Sequence, residues 1–182
     1  MRILLAPLLA LVVAVPVLAD GPEPYVRTCS SSAFGDLGRG WRENAVIAGH
    51  LAFVGLGGPR RSAQLDPVDP GRANPLKVLV VVDPNAAPTL TIARASRRNA
   101  ALGYNVDEIR PDGSGKGVPL ADGTTSVRFH ACRVVRSREP WNRGTQFPGY
   151  VLVARRGCVQ VEVATQGKIL RRTLRFGVAR CP

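Results

Sequence analysis

The chain has 182 residues, with 25 Lys plus Arg against 13 Asp plus Glu, a formal net charge of +12, two His, one Met and four Cys. Two histidines exclude a histidine-rich metal site, and a copper centre of the His–His–Cys–Met kind has no usable Met, since the one present is Met1. No cofactor is expected.

The chain opens with a single basic residue, Arg2, and then runs without charge from Ile3 to Leu18. Val17 and Ala19 satisfy the small-residue rule for cleavage ahead of Asp20, so residues 1–19 read as a secretory signal peptide. Pro7 and Pro16 interrupt a run that is short for a membrane span. Cleavage leaves residues 20–182 (182 − 19 = 163 residues), enough for one domain with a real core and no transmembrane segment. The expected address is secreted or extracytoplasmic, at the cell envelope, where no nucleic acid is expected as a partner.

From Asp20 to Gly40 the chain is rich in Gly, Ser and Pro and reads as extended or irregular, tied down by Cys29. Ala45 to Leu56 is an apolar run that reads as one strand, or as two joined at Gly49. Gly57 to Asn74 is a polar connection with three prolines. Leu76 to Val82 is β-branched and reads as a strand, stopped by the turn chemistry of Asp83-Pro-Asn. Thr89 to Ala95 alternates and reads as a strand, Ala100 to Val106 as a weaker one, and Arg110 to Gly123 as a loop.

The last third is clearer. Val127, Phe129 and Ala131 alternate with Arg128, His130 and Cys132, as in a strand buried on one face. Arg133 to Gln146 is a long polar connection around Trp141. Phe147 to Ala154 is apolar on both parities, as in a strand buried on both faces. In Cys158-Val-Gln-Val-Glu-Val-Ala, Val159, Val161 and Val163 share one face and Gln160 and Glu162 the other. Thr165-Gln-Gly-Lys168 suits a tight turn, and Ile169 to Phe176 returns as its hairpin partner. Leu170, Leu174 and Phe176 form the inward set. Arg172 breaks that set, which points to a bulge or an edge position.

The segments VRFHAC, FPGYVLV, CVQVEV and GKILRRTLRFGVARC together resemble the C-terminal part of a group of uncharacterised secreted proteins from high-GC bacteria. The likeness covers about the last third of the chain. It implies a fold type and an address, and it carries over no catalytic or binding residues.

About eight strands at these spacings, with Gly and Pro between them and no convincing helical period, indicate an all-β protein. An antiparallel β-sandwich, immunoglobulin-like in first choice, fits best. Four cysteines in an exported chain imply two disulfides, and none of their spacings is that of a zinc site. Three pairings are possible. If the last four strands alternate in direction, Cys158 starts the third and Cys181 follows the fourth at the same end. That ranks Cys158–Cys181 with Cys29–Cys132 first, and a Cys132–Cys158 bridge second.

Charge is uneven. Residues 127–182 hold twelve basic and two acidic residues (+10), and residues 20–126 hold twelve basic and eleven acidic (+1). One reading is a face for anionic envelope polymers, formed by the outward residues Arg128, His130, Arg171 and Arg175 with Arg155 and Arg156 at a strand end. The other is that these charges only solvate the sheet. Gly113-Ser-Gly-Lys-Gly117 lacks the Gly and the Ser or Thr of a phosphate loop, and Asp66, Asp69 and Asp83 read as turn formers, with too few oxygens for calcium. No Gly-x-Ser-x-Gly elbow is present. The expected function is therefore a non-enzymatic envelope binding or structural protein. The alternative is an extracytoplasmic hydrolase with His130 or His50 as base, oriented by a carboxylate.

Overall fold

The computed structural model describes residues 23–57, 65, 68–105, 109, 117–133 and 143–181. The segment read as a signal peptide, Gly113 to Lys116, Asp66 and Trp141 lie outside the described residues. Strand dominates the described residues and their only helices are 3-10 turns of three or four residues, so the protein is all-β, and no described helix is long and apolar enough to cross a membrane.

The strands are β1 (Tyr25–Arg27), β2 (Ala45–Ala48), β3 (Leu51–Val54), β4 (Arg72–Lys77), β5 (Leu79–Val82), β6 (Thr89–Ile92), β7 (Ala100–Gly103), β8 (Val118–Pro119), β9 (Ser126–Phe129), β10 (Thr145–Phe147), β11 (Tyr150–Val153), β12 (Gly157–Thr165) and β13 (Lys168–Phe176). The first layer is a five-stranded sheet in the order β1-β9-β6-β12-β13. The second consists of two four-stranded sheets, β10-β5-β3-β2 and β7-β11-β4-β8.

Those two sheets are halves of one bent ribbon. Thr145 pairs with Val82 and Val153 with Asn74, so β10 and β11 keep a single register against β5 and β4. Val78 N–H bonds the Gly149 carbonyl at 2.9 Å across the bend, so the ladder is carried through it. A side chain at Gly149 would place its Cβ 2.3 Å from Tyr104 Cδ1, which is why the crossing needs glycine.

The core lies between the layers. Val159, Val161, Val163, Leu174, Phe176, Leu90, Ile92, Val127 and Phe129 of the first sheet meet Phe53, Val80, Val82, Phe147, Val151 and Val153 of the second. Period-two alternation on every strand makes this possible. The ribbon is also covered outside: Val81 packs under Trp41, and Leu152 among Ala73, Ala101, Ile109 and Val118. That is the two-sided burial read from Phe147 to Ala154.

Several expectations need correction. There are thirteen strand segments among the described residues, against about eight expected, because the ribbon strands are each broken at the bend and short strands add edges. The pairing is antiparallel except between β1 and β9, which run parallel. Asp20 to Gly40 was read as extended or irregular without a paired strand, and Tyr25–Arg27 within it is an edge strand whose inward position is taken by Arg27 in place of an apolar residue. Arg27 is buried at 3% exposure. Its guanidinium donates to the carbonyls of Tyr104, Pro148 and Ser31, its Nε donates to Ser31 Oγ at 2.9 Å, and it lies 5.8 Å from the Phe147 ring centre. Tyr104 in turn donates its hydroxyl to the Val78 carbonyl at 3.0 Å and meets Phe129 edge-on.

Both disulfides follow the first-ranked pairing. Cys29 bonds Cys132 and Cys158 bonds Cys181, and no described cysteine is free. The hairpin register of β12 and β13 runs unbroken from Gly157–Phe176 to Thr165–Lys168, so Arg172 sits on an edge strand and not at a bulge. Gly49 at φ 60 turns β2 into β3, which decides for two strands in that run.

Candidate functional site: a basic cleft at one end of the sandwich

The direction of β12 defines two ends of the first sheet. Gly157 lies at the lower end and the Gln166–Gly167 turn at the upper end. Register then places every outward residue. Arg128 opposes Thr89, and Thr89 opposes Ala164, so Arg128 sits in the uppermost rows. Arg175 opposes Cys158 in the lowermost. Six residues separate Ala164 from Cys158 along β12, roughly 20 Å of strand. Arg128 is also three strands away from Arg175, with β6 and β12 between them. His130 follows Arg128 at the upper end and is exposed.

The expected basic face is therefore divided. Thr89, Thr91, Gln160 and Glu162 occupy its middle. Arg171 opposes Glu162, and its Nε donates to Oε1 at 3.0 Å, so that charge is locally balanced. Arg171 is 82% exposed, and the pair contributes little to stability. Arg128 Nε donates to Thr89 Oγ1 at 3.3 Å.

The lower end is different. After β6 the chain makes a 3-10 turn, Arg94–Ser96, and continues through Arg97, Arg98 and Asn99. Three bonds fix this turn against its neighbours: Ala93 N–H to the Gln160 carbonyl, Ser96 Oγ accepting from Gln160 N–H, and Ala154 N–H to the Asn99 carbonyl, each at 2.9 Å. The last of these brings the β11–β12 loop, with Arg155 and Arg156, beside the turn. The Cys158–Cys181 bridge brings Arg180 to the same end, and Arg175 donates to the Ala179 carbonyl at 2.8 Å.

Seven arginines thus belong to the segments at the lower end: Arg94, Arg97, Arg98, Arg155, Arg156, Arg175 and Arg180. The three segments that carry them, 93–99, 154–159 and 175–181, contain no Asp or Glu. Between the first two lies a cleft of about 290 Å³, lined by Asn99, Arg155, Arg156, Gly157, Cys158 and Val159. Arg155 and Arg156 are exposed and form no ion pair among the described residues. Arg97 is partly engaged, its Nε donating to the Ile92 carbonyl at 3.1 Å.

Of the sequence-derived site residues, the fold brings together Arg155, Arg156 and Arg175. It leaves Arg171 paired at mid-sheet and Arg128 with His130 at the far end. Sequence reasoning missed Arg94, Arg97 and Arg98, because they belong to the half of the chain with near-zero net charge. The signal was present in Arg94-Ala-Ser-Arg-Arg98, a local run of three arginines without an acid.

The histidines give a second, smaller constellation. His50 Nδ1 lies 3.3 Å from Asp83 Oδ2, and Asp83 Oδ1 lies 3.4 Å from Arg42. Asp83 also donates its backbone N–H to the His50 carbonyl at 2.9 Å. This contact closes the strand ends of β3 and β5. No Ser, Thr or Cys side chain bonds His50 among the described residues, so the contact there is a His–Asp–Arg chain with no nucleophile among those residues. His130 has no side-chain partner among the described residues. Nor do those residues hold a group of three His, Cys, Asp or Glu placed for a metal.

Comparison with protein-family models, with curated proteins and with solved structures finds no match.

Proposed function

We propose that the protein is a secreted, non-enzymatic cell-envelope protein that binds anionic surface polymers through its lower end. One observation carries the reading: three separate segments with seven arginines and no Asp or Glu lie at one end of the sandwich, where Arg155 and Arg156 line a cleft. Unpaired guanidiniums that repel one another cost stability, and an anionic partner offsets that cost. Two disulfides agree with an oxidising compartment. The mature chain is then expected to begin at Asp20, and mass spectrometry that finds Met1 or Arg2 on exported protein contradicts the address.

The binding test compares two charge reversals of equal size on a heparin column. Arg155→Glu with Arg156→Glu alters the lower end, and Arg128→Glu with Arg133→Glu alters exposed residues of the upper end. Binding of the wild type should fall steeply with salt, because phosphate or sulfate contacts release counterions. The lower-end pair should weaken it by roughly tenfold or more, and the upper-end pair much less. Equal weakening means that only net charge matters. A wild type with no salt-dependent retention overturns the reading.

A further inference from the structure

The cleft itself has a more specific chemistry than the surface around it. Its two walls come from different loops. Asn99 stands on one, and the consecutive Arg155 and Arg156 stand on the other. The Asn99 carbonyl is engaged by Ala154, but its side-chain amide has no partner among the described residues. Gly157 contributes bare backbone, and a Cβ built there would meet nothing within 4 Å. The volume, about 290 Å³, is at the small end for a ligand site and holds one charged unit, not a stretch of polymer.

We infer that this cleft binds a phosphomonoester group carried on a sugar or polyol. The inference rests on the reading of the lower end as an anion-binding surface and names the anion. Two arguments select it. Donors that approach from two walls suit the three free oxygens of a tetrahedral oxyanion better than the two coplanar oxygens of a carboxylate. Two guanidiniums in one cleft match a dianion, whereas a sulfate ester or a carboxylate carries one charge. The phosphate lies against Arg155 and Arg156, and the Asn99 amide donates to a third oxygen. The source is either a terminal phosphate on an envelope polymer or a free sugar phosphate.

A dianion brings its own signature. The second phosphate ionisation falls near pH 6. Among the described residues, the charged side chains of the three segments at this end are arginines, of which Arg155 and Arg156 line the cleft (the others are Arg94, Arg97, Arg98, Arg175 and Arg180), and they keep their charge throughout that range. No histidine lies in the three segments. The pH dependence therefore belongs to the ligand.

The experiment is calorimetric titration of the mature protein with glucose 6-phosphate, glucose 6-sulfate and glucuronate at pH 5 and pH 7.5. The phosphate should bind about tenfold more weakly at pH 5 than at pH 7.5, following its dianion fraction. The sulfate and glucuronate should bind more weakly than the phosphate at pH 7.5, and the sulfate should show no such change. Arg155→Gln with Arg156→Gln should abolish phosphate binding, Asn99→Asp should weaken it with both arginines intact, and Arg128→Gln should leave it unchanged. Thermal melts confirm that each variant is folded. Equal affinity for sulfate and phosphate, a pH-independent phosphate affinity, or binding retained in the double variant overturns the inference.

Retention on heparin without glucose 6-phosphate binding defeats the cleft assignment and leaves the polymer reading standing. The converse defeats the polymer reading alone. If glucose 6-phosphate binds, phosphate-capped oligosaccharide that binds no tighter assigns the site to free sugar phosphates.

Discussion

Arg172 Nε donates to the carbonyl of Ile47 at 2.8 Å, and this bond joins the edge of one sheet to the edge of the other. Arg172 occupies an inward position on β13, yet it is exposed, because the sandwich opens at that edge. A strand edge leaves carbonyls unpaired, and a guanidinium reaching across satisfies one of them. Replacing Arg172 by Ala should lower unfolding free energy by about 1 kcal/mol, since the freed carbonyl can turn to water. Arg171→Ala, one residue away on the outward face, should change it by less than about 0.5 kcal/mol. Denaturant melts of the two variants give the comparison, and equal losses would show that the bond to Ile47 carries no special weight.

Gly149→Ala should cost about 3 kcal/mol. Its methyl would press on the Tyr104 ring, which is fully buried and held by bonds at both ends, so neither can give way. Gly38→Ala is the control. Gly38 is at φ 73 with open space around it, so only the backbone preference is lost, about 1 kcal/mol. A Gly149→Ala protein as stable as the Gly38→Ala one would mean that the bend relaxes freely.

Burial pushes the Tyr104 phenol well above its ordinary ionisation range, and the nearby Arg27 charge only partly opposes this. The folded state therefore holds the proton that the unfolded state loses near pH 10. Stability from this group is complete below that pH and declines as pH rises above it. The melting temperature should drop more between pH 9 and pH 11 in the wild type than in Tyr104→Phe. Parallel declines would place the alkaline sensitivity elsewhere.

The disulfides differ in the span that they close. Cys29–Cys132 spans 103 residues and Cys158–Cys181 spans 23. Restricting the unfolded chain over these spans is worth about 4.7 and about 3.4 kcal/mol in the chain-entropy account. Paired Cys→Ala variants should lose stability in that order. Cys132 is also buried, so truncating its side chain removes packing and adds to the larger loss. Reversal of the order would indicate that the C-terminal tail matters more than chain restriction.

The valines of β12, the two-sided burial of β11 and the disulfide pairing were all legible in the sequence, because each follows from parity or strand direction. The edge strand at Tyr25 was not, since three residues with an inward arginine carry no alternation signal. The site was half legible. Parity correctly turned Arg128 and Arg175 outward, but parity says nothing about how many strands lie between β9 and β13. Charge summed along the chain also hid Arg94, Arg97 and Arg98, which a single turn delivers to Arg155 and Arg156.

The parallel pairing of β1 with β9 has a consequence for how the molecule comes to be. Tyr25 meets Val127 across a hundred intervening residues, and β6, at the centre of the same sheet, gains its second neighbour only when β12 arrives. The first sheet is thus assembled from the beginning, the middle and the end of the chain. Such long-range contacts make folding slow, because wide loops must close before any contact offsets the lost entropy. A chain that ends before Gly157 lacks β12, the strand that joins β6 to β13. Nearly the whole polypeptide must be synthesised before its first sheet can close, so the early strands wait unpaired for partners from the end of the chain.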